Sequence, residues 1–290
     1  MIKPNFLIIG AARSGTTSLH SYLQQHPQIY MPDWKEPSFF CQLGINPSDR
    51  PDGIADFETY YSLFNEVSNE IAIGEASTLY IYYKNAPIQI KKHLPNVKLI
   101  ALLRNPVDRA YSSFLHSVGP IANPLTNFRQ AIKARQNKTD DIIGDSLGIN
   151  SLGMGFYYTQ LKRYYECFDH HQIKVYLYEY FKEKPISILQ DIFNFLEVDS
   201  NFLPDVSFKK HITHVYKHQF LYQFSKSNYL RACLKALMPK PIFNRIKARN
   251  IQKPQELTLE IREELLQEYI SDILQLQELI QQDLSIWLKT

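Results

Sequence analysis

Three stretches hold side chains whose types and spacing can do chemistry. The first is AARSGTTS, directly after Gly10, where Arg13 sits among small residues and the hydroxyls of Ser14, Thr16, Thr17 and Ser18. Backbone amides at a glycine turn that opens a helix converge on an anion. The stretch therefore reads as an anion cradle or as an ordinary strand-to-helix turn. It departs from the nucleotide loop GxxxxGK[ST] in one place: Gly10 and Gly15 keep the separation, but Thr16 occupies the lysine position and the charge stands upstream at Arg13. Such a loop is poorly suited to gripping a β/γ-phosphate with Mg²⁺. Ser14, Gly15, Thr16, Thr17 and Ser18 can still donate to a terminal phosphate.

The second stretch is RNPVDRAYSSF, which follows the apolar run VKLIALL. Arg104 stands at the end of that run, where it pairs with Asp108 or offers a bidentate contact to a phosphate. Ser112 and Ser113 are second contacts or merely line a helix, and Arg109 is placed towards solvent. The third stretch is WKEPSFF. Glu36 is a surface acid beside Lys35, or a carboxylate in an aromatic cleft with its pKa raised toward general-base work. Trp34, Phe39 and Phe40 put that paired charge among aromatics. Glu75, Ser77 and Thr78 fall just past a strand, where open parallel sheets bind ligands, though either hydroxyl also suits a helix cap.

The elements that must position these groups follow from periodicity. Phe6–Ile9, Ile71–Gly74, Val97–Leu103 and Ile173–Tyr178 read as strands, and Ile29–Tyr30 as a further short one. Helical spacing recurs after Gly15 and over Phe57–Phe64, Ala86–Leu94, Asp108–His116, 127–138, Gly155–Phe168 and Pro185–Leu196. Strands alternating with helices predict an α/β fold, a mostly parallel central sheet flanked by helices. The chain of 290 residues, 44% hydrophobic and 21% charged with a net charge of +3, is globular and gives no argument for nucleic-acid binding. Three scattered cysteines and an N-terminal apolar run too short to span a membrane place it in the cytoplasm, with no transmembrane segment.

Gly119–Gly155 reads as a variable loop or lid around one helix. The cluster SFKKHITHVYKHQF lacks the ligand spacing of a zinc site and reads as a basic edge over an anion or as solvated surface. At the end, Leu257, Ile261, Leu265, Tyr269, Ile273, Leu276 and Ile280 mark an amphipathic helix. With Trp287 as a docking aromatic, the segment at about 255–290 is expected to pack on a single domain spanning 1–290.

RSGTTSL, KEPSFF, GEAST, LLRNPVDRAYSSF, GFYYTQLKRYYECF and IKVYLY, in that order and spacing, resemble the sulfotransferase family that uses 3′-phosphoadenosine 5′-phosphosulfate (PAPS), particularly its bacterial and glycan-modifying branches. The resemblance covers almost the whole chain. It implies a P-loop-containing nucleotide-binding-like fold and transfer of a sulfuryl group from PAPS to a hydroxyl of a carbohydrate, lipid headgroup or specialised metabolite. Adenosine 3′,5′-bisphosphate is the product, no metal is required, and the enzyme is a monomer or homodimer. Arg13, Ser14, Gly15, Thr16, Thr17 and Ser18 would hold the 5′-phosphosulfate, Arg104 and Ser112 the 3′-phosphate, and Lys210 and Lys217 would belong to a late cofactor loop. Glu36 would be the base, ahead of His93, and Arg13 would stabilise charge on the departing oxygens. Tyr30, Trp34, Phe39 and Phe40 would permit stacking on a sugar or contact with an apolar acceptor.

Two positions depart from the family pattern. Arg13 stands where many relatives carry lysine, and Glu75 is followed by Ala76 where glycan-modifying relatives often carry lysine. The second departure weakens a heparan-like acceptor assignment and leaves donor use intact. Two other functions compete: a P-loop small-molecule kinase, which would bind ATP tightly, and a noncatalytic nucleotide-binding protein, which would bind donor without acceptor-dependent product release.

Overall fold

The structure is a computed structural model that describes residues 2–44, 53–118, 124–136, 150–207, 215–216, 251–252 and 255–289. Five parallel strands form the sheet: β1 Phe6–Gly10, β2 Ile29–Tyr30, β3 Ala72–Ala76, β4 Lys98–Leu103 and β5 Ile173–Leu177. Their spatial order is β2-β3-β1-β4-β5. From β1 the chain crosses to the outer strand β2, steps back inward to β3 beside β1, and then restarts at β4 on the other side of β1. The crevice past the carboxyl ends of β1 and β4 is thus the topological switch point, where sheets of this kind bind ligands.

β1 and β4 read as near-continuous apolar runs because both of their faces are covered. On one face Leu7, Ile9, Leu99, Ala101 and Leu103 meet Ile90 of α4 (Ala86–His93), Ala110 and Phe114 of α5 (Pro106–Val118) and Leu161 of α8 (Tyr157–Tyr165). On the other, Phe6, Ile8, Ile100 and Leu102 meet Leu19 and Leu23 of α1 (Thr16–Leu23) and Leu189 and Phe193 of α10 (Pro185–Leu196). Between these lie α2 (Phe39–Gln42), α3 (Phe57–Ser62), α6 (Pro124–Gln136), α7 (Asn150–Gly153) and α9 (Tyr178–Glu183).

Local chemistry sets the helix starts. Asp56 caps α3 by accepting from the Thr59 amide at 2.8 Å. Asn105 caps α5 with Oδ1 accepting from Val107 N at 3.0 Å, and Pro106 takes the first helical position, where no amide is needed. The C-terminal helix Leu259–Ile280 is one unbroken run capped by Thr258. It buries Ile261, Leu265, Tyr269, Ile273 and Leu276 in the same core, and Asp272 accepts from the amides of Tyr158 and Thr159 that open α8. Arg129 of α6 pairs with Glu260 and Glu264 of that helix.

Gly74 in β3 is a packing glycine. A Cβ there would stand 2.4 Å from Cζ of the Phe6 ring, and Phe6 is fully buried. Gly74→Ala is expected to lower unfolding free energy by about 1–3 kcal/mol through overpacking. Denaturant melts of the variant and of Gly74→Ala with Phe6→Leu, which shortens the ring, check it: the second change is expected to recover part of the loss.

Candidate active site

The carboxyl ends of β1, β3, β4 and β5 carry the functional side chains. After β1 the chain turns through Arg13 (φ 70°) and Gly15 (φ 90°), both in the left-handed region. Gly15 has a second requirement for glycine, because a Cβ there would stand 2.9 Å from the Tyr178 ring. Ala11 N donates to Leu102 O of β4 at 2.8 Å, which ties the loop to the switch point. The first amides of α1 then face out of the helix end with its partial positive charge. Ser14 and Thr16 are buried here, and Thr17 and Ser18 are half-buried.

Arg13 and the β4 end form one cluster. Arg13 Nε donates to Ser112 Oγ at 3.2 Å, and Arg104 Nη1 donates to the Arg13 carbonyl at 3.2 Å. The Arg104 guanidinium lies over the Tyr178 ring, 5.1 Å from its centroid. Burial lowers the pKa of Arg13, and the nearby charges of Arg104 and Arg109 lower it further. One sequence expectation is corrected here, and one of two alternatives is set aside. Arg109 is 0% exposed and belongs to this buried cationic group instead of facing solvent. Asp108 pairs with Arg262 of the C-terminal helix, which leaves Arg104 turned to the loop.

Glu36 sits at the end of β3. Its backbone is left-handed (φ 65°), as is that of Ser38 (φ 51°). Glu36 N donates to Ala76 O at 2.9 Å, and its carboxylate accepts from the Thr78 amide at 2.7 Å and from the Thr78 hydroxyl. Lys35 Nζ donates to the same carboxylate. Thr78 is therefore a carboxylate clamp, and Ser77 Oγ accepts from Ser38 N at 2.9 Å while donating to Glu75 Oε2 at 2.8 Å. Neither hydroxyl caps a helix. Residues in left-handed conformations at both Arg13 and Glu36 are held by these surrounding bonds, the pattern expected where geometry serves a site.

Beneath Glu36 lies a second carboxyl. Glu75 is 0% exposed, accepts from the Tyr60 hydroxyl at 3.3 Å as well as from Ser77, and has its pKa pushed up to about 7, chiefly by burial.

Phe39 and Phe40 are fully buried against Tyr60 and Tyr80, and the Tyr30 hydroxyl is committed to Leu63 O at 2.8 Å. Of the four aromatics considered for acceptor contact, only Trp34 stands open, at 53% exposure. His93 closes α4 beside Phe40 and Phe57, and burial lowers its pKa. It lies ahead of β4, at the sheet edge opposite Glu36. Lys210 and Lys217, and with them most of SFKKHITHVYKHQF and part of the expected lid, lie outside the described residues. Tyr178, which sequence reading passed over, was signalled only by its place after β5 on the same sheet edge.

Glu75 makes stability pH-dependent with a defined sign. Its folded pKa is raised, so its contribution is complete below the unfolded value near 4.5 and is lost as pH rises through about 7. Glu75→Gln removes that cost of ionisation. The melting temperature of the variant minus that of the wild type is expected to become more positive from pH 5 to pH 8.5; a difference that stays flat or falls contradicts the assignment.

A family profile described as the sulfotransferase domain matches residues 3–240. A crystal structure of a sulfotransferase from Alicyclobacillus acidocaldarius superposes with a TM-score of 0.74 at 29% identity, covering 100% of both chains. The membrane-associated sulfotransferase kil1 of Dictyostelium discoideum is 38% identical over 115 residues, 40% of this chain and 23% of that protein. The human bifunctional heparan sulfate N-deacetylase/N-sulfotransferase 2 is 28% identical over 199 residues, 67% of this chain and 22% of that protein. The matched segment thus spans less than a quarter of the length of these curated relatives. Among the described residues no helix is long and apolar enough to cross a membrane. With the profile matched over most of its length, the chain belongs to the sulfotransferase domain family.

Proposed function

We propose that this chain transfers a sulfuryl group from PAPS to a hydroxyl acceptor, residues 1–290 acting as one catalytic domain with a P-loop-like cradle. The observation that carries the reading is the convergence of Arg13, Arg104 and Arg109 at the switch point, where burial and the charges of the other two lower the pKa of Arg13. A donor with phosphates at both ends of a ribose fits a site whose cations come from two strand ends. The amides and hydroxyls of Ser14, Gly15, Thr16, Thr17 and Ser18 would hold its 5′ side, and Arg104 with Ser112 its 3′-phosphate. Lys210 and Lys217 would add late contacts to it. Bound there, the donor supplies an activated sulfur and a phosphate leaving group.

The protein's own part is placement and charge. Glu36, held in orientation by the Thr78 amide and hydroxyl, would accept the proton of the attacking hydroxyl. Arg13 would stabilise negative charge on the departing oxygens, with its backbone already fixed by Arg104. Trp34, exposed two residues before Glu36, would contact the acceptor; a flat indole face suits a sugar ring or an apolar metabolite. We place the enzyme in the cytoplasm.

A panel of hydroxyl acceptors incubated with PAPS, read by release of adenosine 3′,5′-bisphosphate, tests the reading. Acceptor-dependent release is expected. Glu36→Gln should lower kcat about 10²–10⁴-fold with donor affinity unchanged. Trp34→Ala should raise the acceptor KM and leave the donor KM alone. Turnover of Glu36→Gln at the wild-type rate rules out its role as base.

A further inference from the structure

Arg104 and Asn105 are held by groups from distant parts of the chain. The Tyr157 hydroxyl donates to the Arg104 carbonyl at 3.0 Å. The Asn105 amide donates to Glu179 Oε1 at 2.9 Å, and Asn105 Nδ2 donates to the Trp287 carbonyl at 3.3 Å. Glu179 is fixed in turn by the Trp287 indole, whose Nε1 donates to its other oxygen at 3.1 Å. Trp287 is 1% exposed, and its ring lies 6.0 Å from that of Tyr157. A closed ring of contacts therefore runs from Asn105 to Glu179 to Trp287 and back to Asn105. Glu179 immediately follows Tyr178, the residue that packs on the Arg104 guanidinium.

The last helical turn, Ser285–Leu288, is anchored independently of this ring. Gln282 Nε2 donates to Val175 O of β5 at 2.9 Å, Leu284 N donates to Gln277 Oε1 at 2.9 Å, and Leu284 is fully buried. Trp287 is thus presented from a segment fixed to β5 and the C-terminal helix, and it meets the strand-end dipeptide directly through its carbonyl on Asn105 and indirectly through its indole on Glu179.

We propose that Trp287 and Glu179 are positioning residues for donor recognition: the C-terminal turn sets the backbone of Arg104–Asn105 and so aims Arg104 at the second, 3′-phosphate of the donor. The proposal rests on the sulfotransferase reading above, in which Arg104 meets that phosphate. A pure packing role for Trp287 would weaken all nucleotides alike. An aiming role weakens only those that carry the 3′-phosphate.

Isothermal titration of the full chain with adenosine 3′,5′-bisphosphate and with adenosine 5′-monophosphate separates the two. Trp287→Phe keeps a smaller aromatic ring and the main-chain carbonyl and loses the indole donor; Glu179→Gln keeps the volume and loses one of its two acceptor oxygens, so one variant remains informative if the other does not fold. Each is expected to weaken the bisphosphate about ten-fold and to leave the monophosphate within two-fold. Trp287→Phe added to Arg104→Ala should cost nothing further on the bisphosphate, since the group it aims is gone. Unchanged bisphosphate affinity in both variants, or equal losses for both ligands, overturns the positioning role. If Arg104→Ala itself binds the two ligands with the wild-type preference, the underlying assignment of Arg104 fails instead.

Discussion

Like-charge crowding at the carboxyl ends of β1 and β4 is the constraint on which the site depends. Arg13, Arg104 and Arg109 share a partly buried space, and the electrostatic neighbours that depress Arg13 are both cations. Packing and hydrogen bonds fix its place. The Gly15 turn, packed under Tyr178, sets the loop; the Asn105 cap starts α5 so that Arg109 and Ser112, three residues apart, face the same way. Under the proposed function, an anion with two separated charges would relieve that crowding.

The opposite wall of the site is built on hydrogen bonds instead of charge repulsion. Glu36 is carried on a left-handed backbone and fastened to Thr78 and Ala76, while the next residues are fastened to Ser77 and, through it, to the buried Glu75. A carboxylate that accepts bonds from the Thr78 amide, the Thr78 hydroxyl and Lys35 keeps its orientation. Phe39 and Phe40, three and four residues after Glu36, anchor the loop by entering the core, while Trp34 stays exposed.

Much of the scaffold is legible in the sequence because it obeys local rules. FLIIG and KLIALL are buried on both faces and read as strands without any alternation; the helices between them carry an apolar stripe and a recognisable start. The cationic cluster is legible in part. Arg13 and Arg104 stand at strand ends, whereas Arg109 was placed outside because its face of α5 is decided by packing, although its spacing from Ser112 carried the signal. Phe39 and Phe40 look like acceptor contacts until the Tyr60 and Tyr80 rings that bury them are seen. The Asn105, Glu179 and Trp287 ring is silent in the sequence, since its members lie 74, 108 and 182 residues apart.

The central claim is that the switch-point cluster is made for two separated phosphates and not for a metal-bound triphosphate. Calorimetric competition between adenosine 3′,5′-bisphosphate and ATP, with and without Mg²⁺, tests it on the unmodified protein. The account predicts that the bisphosphate binds at least about a hundred-fold more tightly and that Mg²⁺ changes nothing. Tighter binding of ATP in the presence of Mg²⁺ would contradict it.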